Sequence, residues 1–98
     1  MKSLTPAQRQ HLKALAHSLK PVVIIGNQGL SDAVKREIDS ALAHHELIKI
    51  KANADDAGMR QAWLETICTD LNAAAVQAIG KILVVYRRGA EPVIALPQ

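Results

Sequence analysis

The order of hydrophobic and polar residues changes character several times along the chain, and each change marks a predicted element. Stretches in which apolar residues recur every three or four positions are typical of amphipathic helices, whereas short runs rich in valine and isoleucine are typical of strands. The first pattern predicts helices over about 6–17 and 32–44 and a third that begins after Asp55 or Asp56 and ends at about 71. The second predicts strands over 22–25, 47–52, 75–79 and 82–87.

Capping residues support the three helix starts. Thr5 is followed three positions later by Gln8, which is the pattern of a capping box. Ser31 stands at the N-cap position of the second helix, and either Asp55 or Asp56 caps the third. The predicted element order is therefore α-β-α-β-α-β-β.

The strand patterns predict how the sheet is built. The continuous apolar run 22–25 predicts burial on both sheet faces, whereas 47–52 alternates between Leu47, Lys49 and Lys51 on one face and isoleucine and alanine on the other. The β-α-β unit predicts a parallel pair joined by a crossover, and a glycine at position 80 predicts a type II′ hairpin. We expect a single α/β domain with helices packed on a mixed four-stranded sheet, and the core of this domain spans about 5–88.

The tail 89–98 could add a short edge strand at 93–94, whose length the flanking prolines limit.

Composition narrows the class of protein. Hydrophobic residues make up 49% of the 98 residues, but no apolar run approaches the ~20 residues of a membrane helix, and polar residues interrupt any signal-peptide core. Cys68 is the single cysteine, which rules out an intrachain disulfide and a cysteine-based metal site. These features predict a cytoplasmic protein with no membrane contact and no cofactor.

Charge is distributed unevenly. The net charge of +3 combines an N-terminal part, residues 1–54, with eight basic and four acidic residues, and a segment 55–75 with one basic and four acidic residues. Residues 1–31 contain no acid at all. This asymmetry predicts a surface with one basic side and one acidic side.

The segment 21–30, Pro-Val-Val-Ile-Ile-Gly-Asn-Gln-Gly-Leu, joins a strand to a helix start through a Gly-x-x-Gly loop. Glycine lets backbone N–H groups approach a ligand closely, and the helix behind the loop points its free N–H groups at the same place. This arrangement suits a phosphate, but the spacing alone favours a plain strand-to-helix turn, and Asp32 would repel an anion there. The loop matches neither a P-loop nor a dinucleotide fingerprint.

Three longer pieces carry a family resemblance: HLKALAHSLKPVVIIGNQGLSDAV, EIDSALAHHELIKIK and AIGKILVVYRR. Together they resemble the CRM domain (chloroplast RNA splicing and ribosome maturation), in its stand-alone bacterial YhbY-like form. The resemblance implies an RNA-binding fold similar to the C-terminal domain of bacterial translation initiation factor three, and association with precursors of the large ribosomal subunit. It also implies RNA contact at the Gly-x-x-Gly loop, which often carries a lysine in this family but here carries Asn27 and Gln28.

The sequence thus predicts an RNA-binding ribosome assembly factor that is not an enzyme and takes no small-molecule substrate. With only Trp63 and Tyr86 as aromatic residues, we expect contact with RNA phosphates rather than stacking on bases. The expected contacts are the loop and the basic residues around it: Gly26, Asn27, Gln28, Gly29, Arg9, Lys13, Lys20, Lys35, Arg36, Lys49 and Lys51. His17 lies on the same helix face as Arg9, Lys13 and Lys20, and Lys81, Arg87 and Arg88 are candidate peripheral contacts.

The same sequence also allows an alternative role. The acids of the third helix, Asp56, Glu65 and Asp70, would suit an adapter that docks on a basic ribosomal protein. His44 and His45 are adjacent in a helix and point ~100° apart, so we expect them to bond free carbonyls rather than to share a metal ion. No nucleophile has an accompanying base, and a small-molecule enzyme is therefore the least supported class.

Overall fold

The computed structural model describes residues 3–97 and confirms the predicted element order. The elements are α1 (Pro6–Ala16), β1 (Pro21–Ile25), α2 (Asp32–His45), β2 (Leu47–Ala52), α3 (Ala57–Asp70), β3 (Ala74–Ile79) and β4 (Ile82–Tyr86). Thr5 forms the predicted capping box with Gln8, Ser31 caps α2, and Asp56 rather than Asp55 caps α3.

The four strands form one mixed sheet in the order β1-β2-β4-β3. β1 and β2 are parallel, as the β-α-β crossover predicts, and the remaining neighbours are antiparallel. Gly80 in the β3–β4 hairpin has φ 55°, in keeping with the predicted type II′ turn.

Helices cover both faces of the sheet and enclose two separate cores. On one face, α2 and α3 pack Ile38, Leu42 and Ile67 against alternate side chains of β1, β2 and β4. On the other face, α1 packs Leu12 and Ala16 against the other set of alternate side chains. The residues from the sheet that join this second core are Leu47, Val76, Val84 and Tyr86.

The prediction that β1 is buried on both faces is wrong. β1 is an edge strand, and α1 packs across β2, β3 and β4. Val22 and Ile24 are therefore 48% and 57% exposed, while Val23 and Ile25 are buried under the opposite layer. Helical spacing predicts that Leu15 and Leu19 belong to the buried stripe of the first helix and Met59 to that of the third, but all three side chains are exposed.

The C-terminal tail does not form the expected strand at 93–94. Instead, the carboxylate of Glu46 accepts hydrogen bonds from the backbone N–H groups of Gly89, Val93 and Ile94, at 2.6, 2.9 and 2.9 Å. Glu46 ends α2 with φ 62° and is only 2% exposed. Through this anchor, Ile94 and Leu96 of the tail pack against the α1-side core.

The environment of Glu46 favours its charged form. Burial alone raises the pKa of this carboxyl, but the three backbone N–H donors and the nearby charge of Arg88 more than offset it, and the pKa falls below the ordinary 4.5. A carboxyl group whose pKa is lower in the folded protein stabilises the fold above its unfolded pKa. That stabilisation is lost as the pH falls through the folded pKa.

Replacing this carboxylate should weaken the fold in a pH-dependent way. We expect Glu46→Gln to lower the free energy of unfolding by about 1–3 kcal/mol at pH 7, because the buried N–H donors lose an ionised acceptor. Below pH 4.5 the difference between wild type and variant should shrink as Glu46 itself becomes protonated. Urea denaturation from pH 3 to pH 7 measures both effects.

Glu91→Gln is the matched control, since Glu91 lies in the same tail and its side chain is exposed. This variant should behave as wild type throughout the pH range. A Glu46→Gln protein as stable as wild type at pH 7 would contradict the anchoring role.

Candidate nucleic-acid interface

α1 leaves part of its sheet face uncovered, at the end where β3 turns into β4. The strand register places Ile24 beside Lys51, Lys51 beside Ile82, and Ile82 beside Ile79, so these four residues form one row across all four strands. Ile24 and Ile79, at the two ends of the row, are 57% and 60% exposed. We call this row the shelf.

A groove separates the shelf from α1. On the helix side, the groove is lined by Lys13 of α1 and by His17, the C-cap of that helix. On the sheet side, it is lined by Lys49 and Gln77, next to Ile79 and Ile82 of the shelf. None of the residues that line this groove is acidic. The predicted contacts Lys13, Lys49 and Lys51 therefore lie on one side of the molecule, together with His17.

The Gly-x-x-Gly loop 26–29 follows β1 directly and stands at the same end of the sheet as the shelf. The Gly29 N–H donates to the Gly26 carbonyl at 3.0 Å, which closes a β-turn with Asn27 and Gln28 at its centre. Asn27 and Gln28 are exposed. Their side-chain amides are thus free to meet a ligand at the tip of the turn.

The two glycines of the loop differ in whether the backbone conformation requires a glycine. Gly29 has φ 69°, and a Cβ at this position would lie 3.6 Å from the Trp63 ring of α3, which supports the loop from behind. Gly26 does not have a positive φ, and a Cβ placed there would meet nothing within 4 Å. The fold therefore requires glycine at position 29 but not at position 26.

The start of α2 adds donors beside the loop. The Ser31 hydroxyl accepts from the Val34 N–H at 3.2 Å, and the Ser31 N–H donates to the Gly29 carbonyl at 3.0 Å. The N–H groups of Asp32 and Ala33 precede the first bonds within the helix and lie at its positive end. The exposed carboxylate of Asp32 partly offsets that positive potential.

Other predicted contacts lie away from the shelf. Lys35 and Arg36 belong to α2, which covers the opposite face of the sheet, and Lys35 pairs with Asp70 of α3 at 3.0 Å. Arg9 lies on α1 one turn before Lys13 and is half-buried. Lys20 is exposed in the connection between α1 and β1.

Two of the peripheral candidates are engaged within the protein. Arg87 donates to the Asp39 carboxylate at 2.6 Å and to the Leu71 carbonyl at 3.0 Å, so it ties α2 to the end of α3. Lys81 pairs with Asp55 at 3.0 Å. Arg88 is exposed next to the tail anchor.

Several acids of the third helix are likewise engaged. Asp56 accepts from the Gly58 N–H at 2.8 Å as the helix cap, and Asp70 holds Lys35. Glu65 is 3.4 Å from the Gln61 amide. The acidic face therefore has fewer carboxylates available for a basic partner than the sequence suggests.

The side chains that could bind a metal ion or act as a nucleophile have structural roles. His44 Nδ1 lies 2.7 Å from the Ser40 carbonyl, which is inside α2 and not one of the free carbonyls at its end. Among residues 3–97, no group of three or more His, Cys, Asp or Glu residues could hold a metal ion. Burial raises the pKa of the Cys68 thiol, which disfavours the reactive thiolate. Within 3–97, the helices are too short or too polar to cross a bilayer.

Comparison with known proteins identifies the family. The model of the CRS1 / YhbY (CRM) domain matches residues 4–87, and the chain belongs to this family. An "RNA-binding protein" of Haemophilus influenzae is 47% identical over 98 residues, covering 100% of this chain and 99% of the relative. A "Probable RNA-binding protein" of Pseudomonas aeruginosa is 39% identical over 90 residues, covering 92% of this chain and 86% of the relative.

A solved structure confirms the fold. The solution structure of a hypothetical protein from Staphylococcus aureus, described by its solvers as a candidate RNA-binding protein, superposes with a TM-score of 0.85 at 33% sequence identity. The match covers 96% of this chain and 99% of that one.

The two loop glycines should respond differently to alanine. We expect Gly29→Ala to lower the free energy of unfolding by about 1–2 kcal/mol, because alanine is strained at a positive φ. Gly26→Ala should leave stability unchanged or raise it by up to about 1 kcal/mol, because it restricts the unfolded chain without a clash. Urea denaturation of both variants tests this; equal losses would show that Gly26 also serves the backbone of the turn.

Proposed function

We propose that this protein binds RNA and acts as an assembly factor on ribosomal RNA in precursors of the large ribosomal subunit. The observation that supports RNA binding is that the 26–29 loop, Lys51 of the shelf and the groove lysines lie on one side of the sheet, along a groove whose lining contains no acid. Family membership and relatives named as RNA-binding proteins support the same conclusion. The proposed role in assembly of the large ribosomal subunit rests on what the family resemblance implies.

Binding would act mainly on the sugar–phosphate backbone. The ammonium groups of Lys13, Lys49 and Lys51 offer charge to phosphates, and the amides of Asn27 and Gln28 offer donors at the loop tip. Such contacts displace the cations condensed on RNA, so affinity falls steeply with salt. They position an RNA helix without reading its sequence directly.

The fold does not explain why residue 26 is glycine, but a bound ligand would explain it. Because a Cβ at this position would clash with nothing in the folded protein, the absence of a side chain leaves room for a ligand to approach the loop backbone. An RNA phosphate at the loop would occupy that room. Gly26→Ala should therefore weaken RNA binding while leaving the fold intact.

Salt titration of binding tests the electrostatic mechanism. We expect Lys49→Gln and Lys51→Gln each to weaken binding to a fluorescein-labelled fragment of large-subunit ribosomal RNA. Each should also reduce the slope of log affinity against log salt by about 0.7–0.9, because each change removes one phosphate contact. Fluorescence anisotropy between 50 and 300 mM KCl gives both quantities.

Arg36→Gln is the control variant, since it removes one exposed positive charge from the layer opposite the shelf. Its slope should stay within about 0.3 of the wild-type value if Arg36 lies outside the contact surface. A nearly flat salt response of the wild-type protein, or a larger effect of Arg36→Gln than of the β2 variants, would contradict the proposed surface.

Sedimentation of cell lysate tests the ribosomal assignment. At low salt the protein should migrate with the large subunit or its precursors on a sucrose gradient, and high salt should release it, because the contacts are electrostatic. Lys49→Gln/Lys51→Gln should shift the protein toward the free fractions at low salt. Sedimentation of the wild type only as free protein at both salts would contradict the ribosomal assignment and leave smaller RNAs as the candidates.

A further inference from the structure

Exposed isoleucines are the least expected feature of the shelf. Ile24 and Ile79 are more than half exposed, although Val23 and Ile25 of β1 and Val76 of β3 lie in cores. With Ile82, which is half-buried, they make an apolar row interrupted only by Lys51. Exposed apolar side chains aligned in one row beside a basic groove are a candidate contact site.

The surroundings of the row indicate what kind of partner it fits. Along the groove side it borders Lys13, His17 and Lys49, and the lining of that groove contains no acid. A row of aliphatic side chains that contains Lys51 and has further lysines along its groove side complements a polyanion whose accessible face is partly apolar. Ribose rings and base edges framed by phosphates have this character.

We infer that the shelf lies on the shallow minor groove of double-helical RNA, with Ile24 and Ile79 against riboses and the lysines against the bordering phosphates. This inference rests on the proposed RNA-binding function and specifies its substrate class. The minor groove of A-form RNA is wide and shallow, and proteins recognise it largely by shape and through its 2′-hydroxyls and phosphates.

The positions of the aromatic side chains favour a duplex over a single strand. Proteins that bind single strands stack bases on exposed aromatic rings. Tyr86 is 5% exposed inside the α1-side core, and Trp63 packs against the opposite core and behind Gly29. The apolar side chains of the shelf are thus branched and aliphatic. Such side chains can contact sugars, but they have no ring on which a base could stack.

Three labelled probes test the substrate class: an RNA hairpin with a stem of about 16 base pairs, a DNA hairpin of the same sequence, and an RNA of equal length whose sequence forms no stem. We expect the RNA hairpin to bind about tenfold more tightly than either of the others at the same salt concentration. Equal or tighter binding of the single strand or the DNA would overturn the inference while leaving RNA or nucleic-acid binding in place. Binding of none of the three would instead contradict the proposed function.

Threonine substitutions test the isoleucines themselves. Threonine is favoured in strands and keeps the β-branch, so the double variant Ile24→Thr/Ile79→Thr should fold normally. Urea denaturation measures its free energy of unfolding. We expect this double variant to bind the RNA hairpin about tenfold more weakly at every salt concentration with an unchanged salt slope, because apolar contacts release no counterions. Val93→Thr, which alters a 78% exposed tail residue, should bind as wild type.

Two results would overturn the role of the row. One is wild-type affinity of Ile24→Thr/Ile79→Thr for the RNA hairpin. The other is a change of mass in the free protein, measured by analytical ultracentrifugation, from a wild-type dimer to a monomer in the double variant. In that case the row would be a contact between two copies of the chain.

Discussion

The alternation of side chains along β2 is the constraint on which the rest of the molecule depends. Ile48, Ile50 and Ala52 point to the core under α2 and α3, whereas Leu47, Lys49 and Lys51 point to the side of α1. Because the side-chain period of a strand is two, a slip of one residue would bury both lysines and expose the isoleucines. Burial of Ile48 and Ile50 therefore holds the two lysines in place.

The size and position of α1 then decide what the proposed interface contains. Its buried Leu12 and Ala16 cover the part of the sheet near Leu47 and Tyr86, and the hairpin end stays open. The 26–29 loop stands at that same end because β1 and β2 are parallel and both finish there. Parallel pairing thus brings the Gly-x-x-Gly loop, a basic groove and an apolar row to one side of a protein of 98 residues.

The sequence predicted local features well and features that depend on neighbours less well. Caps at Thr5 and Ser31 and the alternation of β2 are encoded within a few residues, and each was found as predicted. The exposure of Val22 and Ile24 depends on where α1 ends across the sheet, which no local pattern reveals. Glu46 was missed because its partners lie 43 to 48 residues away in the tail, and the only local signal was an acid between a helix and an apolar strand.

The most direct measurement is a map of backbone amide chemical shifts by ¹H–¹⁵N NMR as an RNA hairpin is added to the labelled protein. We expect the largest chemical-shift changes on the 26–29 loop, on Lys49 and Lys51, and on the groove side of α1. The amides on the outer surfaces of α2 and α3, around Arg36 and Glu65, should change little. Changes centred on those outer surfaces, with the shelf and the loop unaffected, would contradict RNA binding at the shelf.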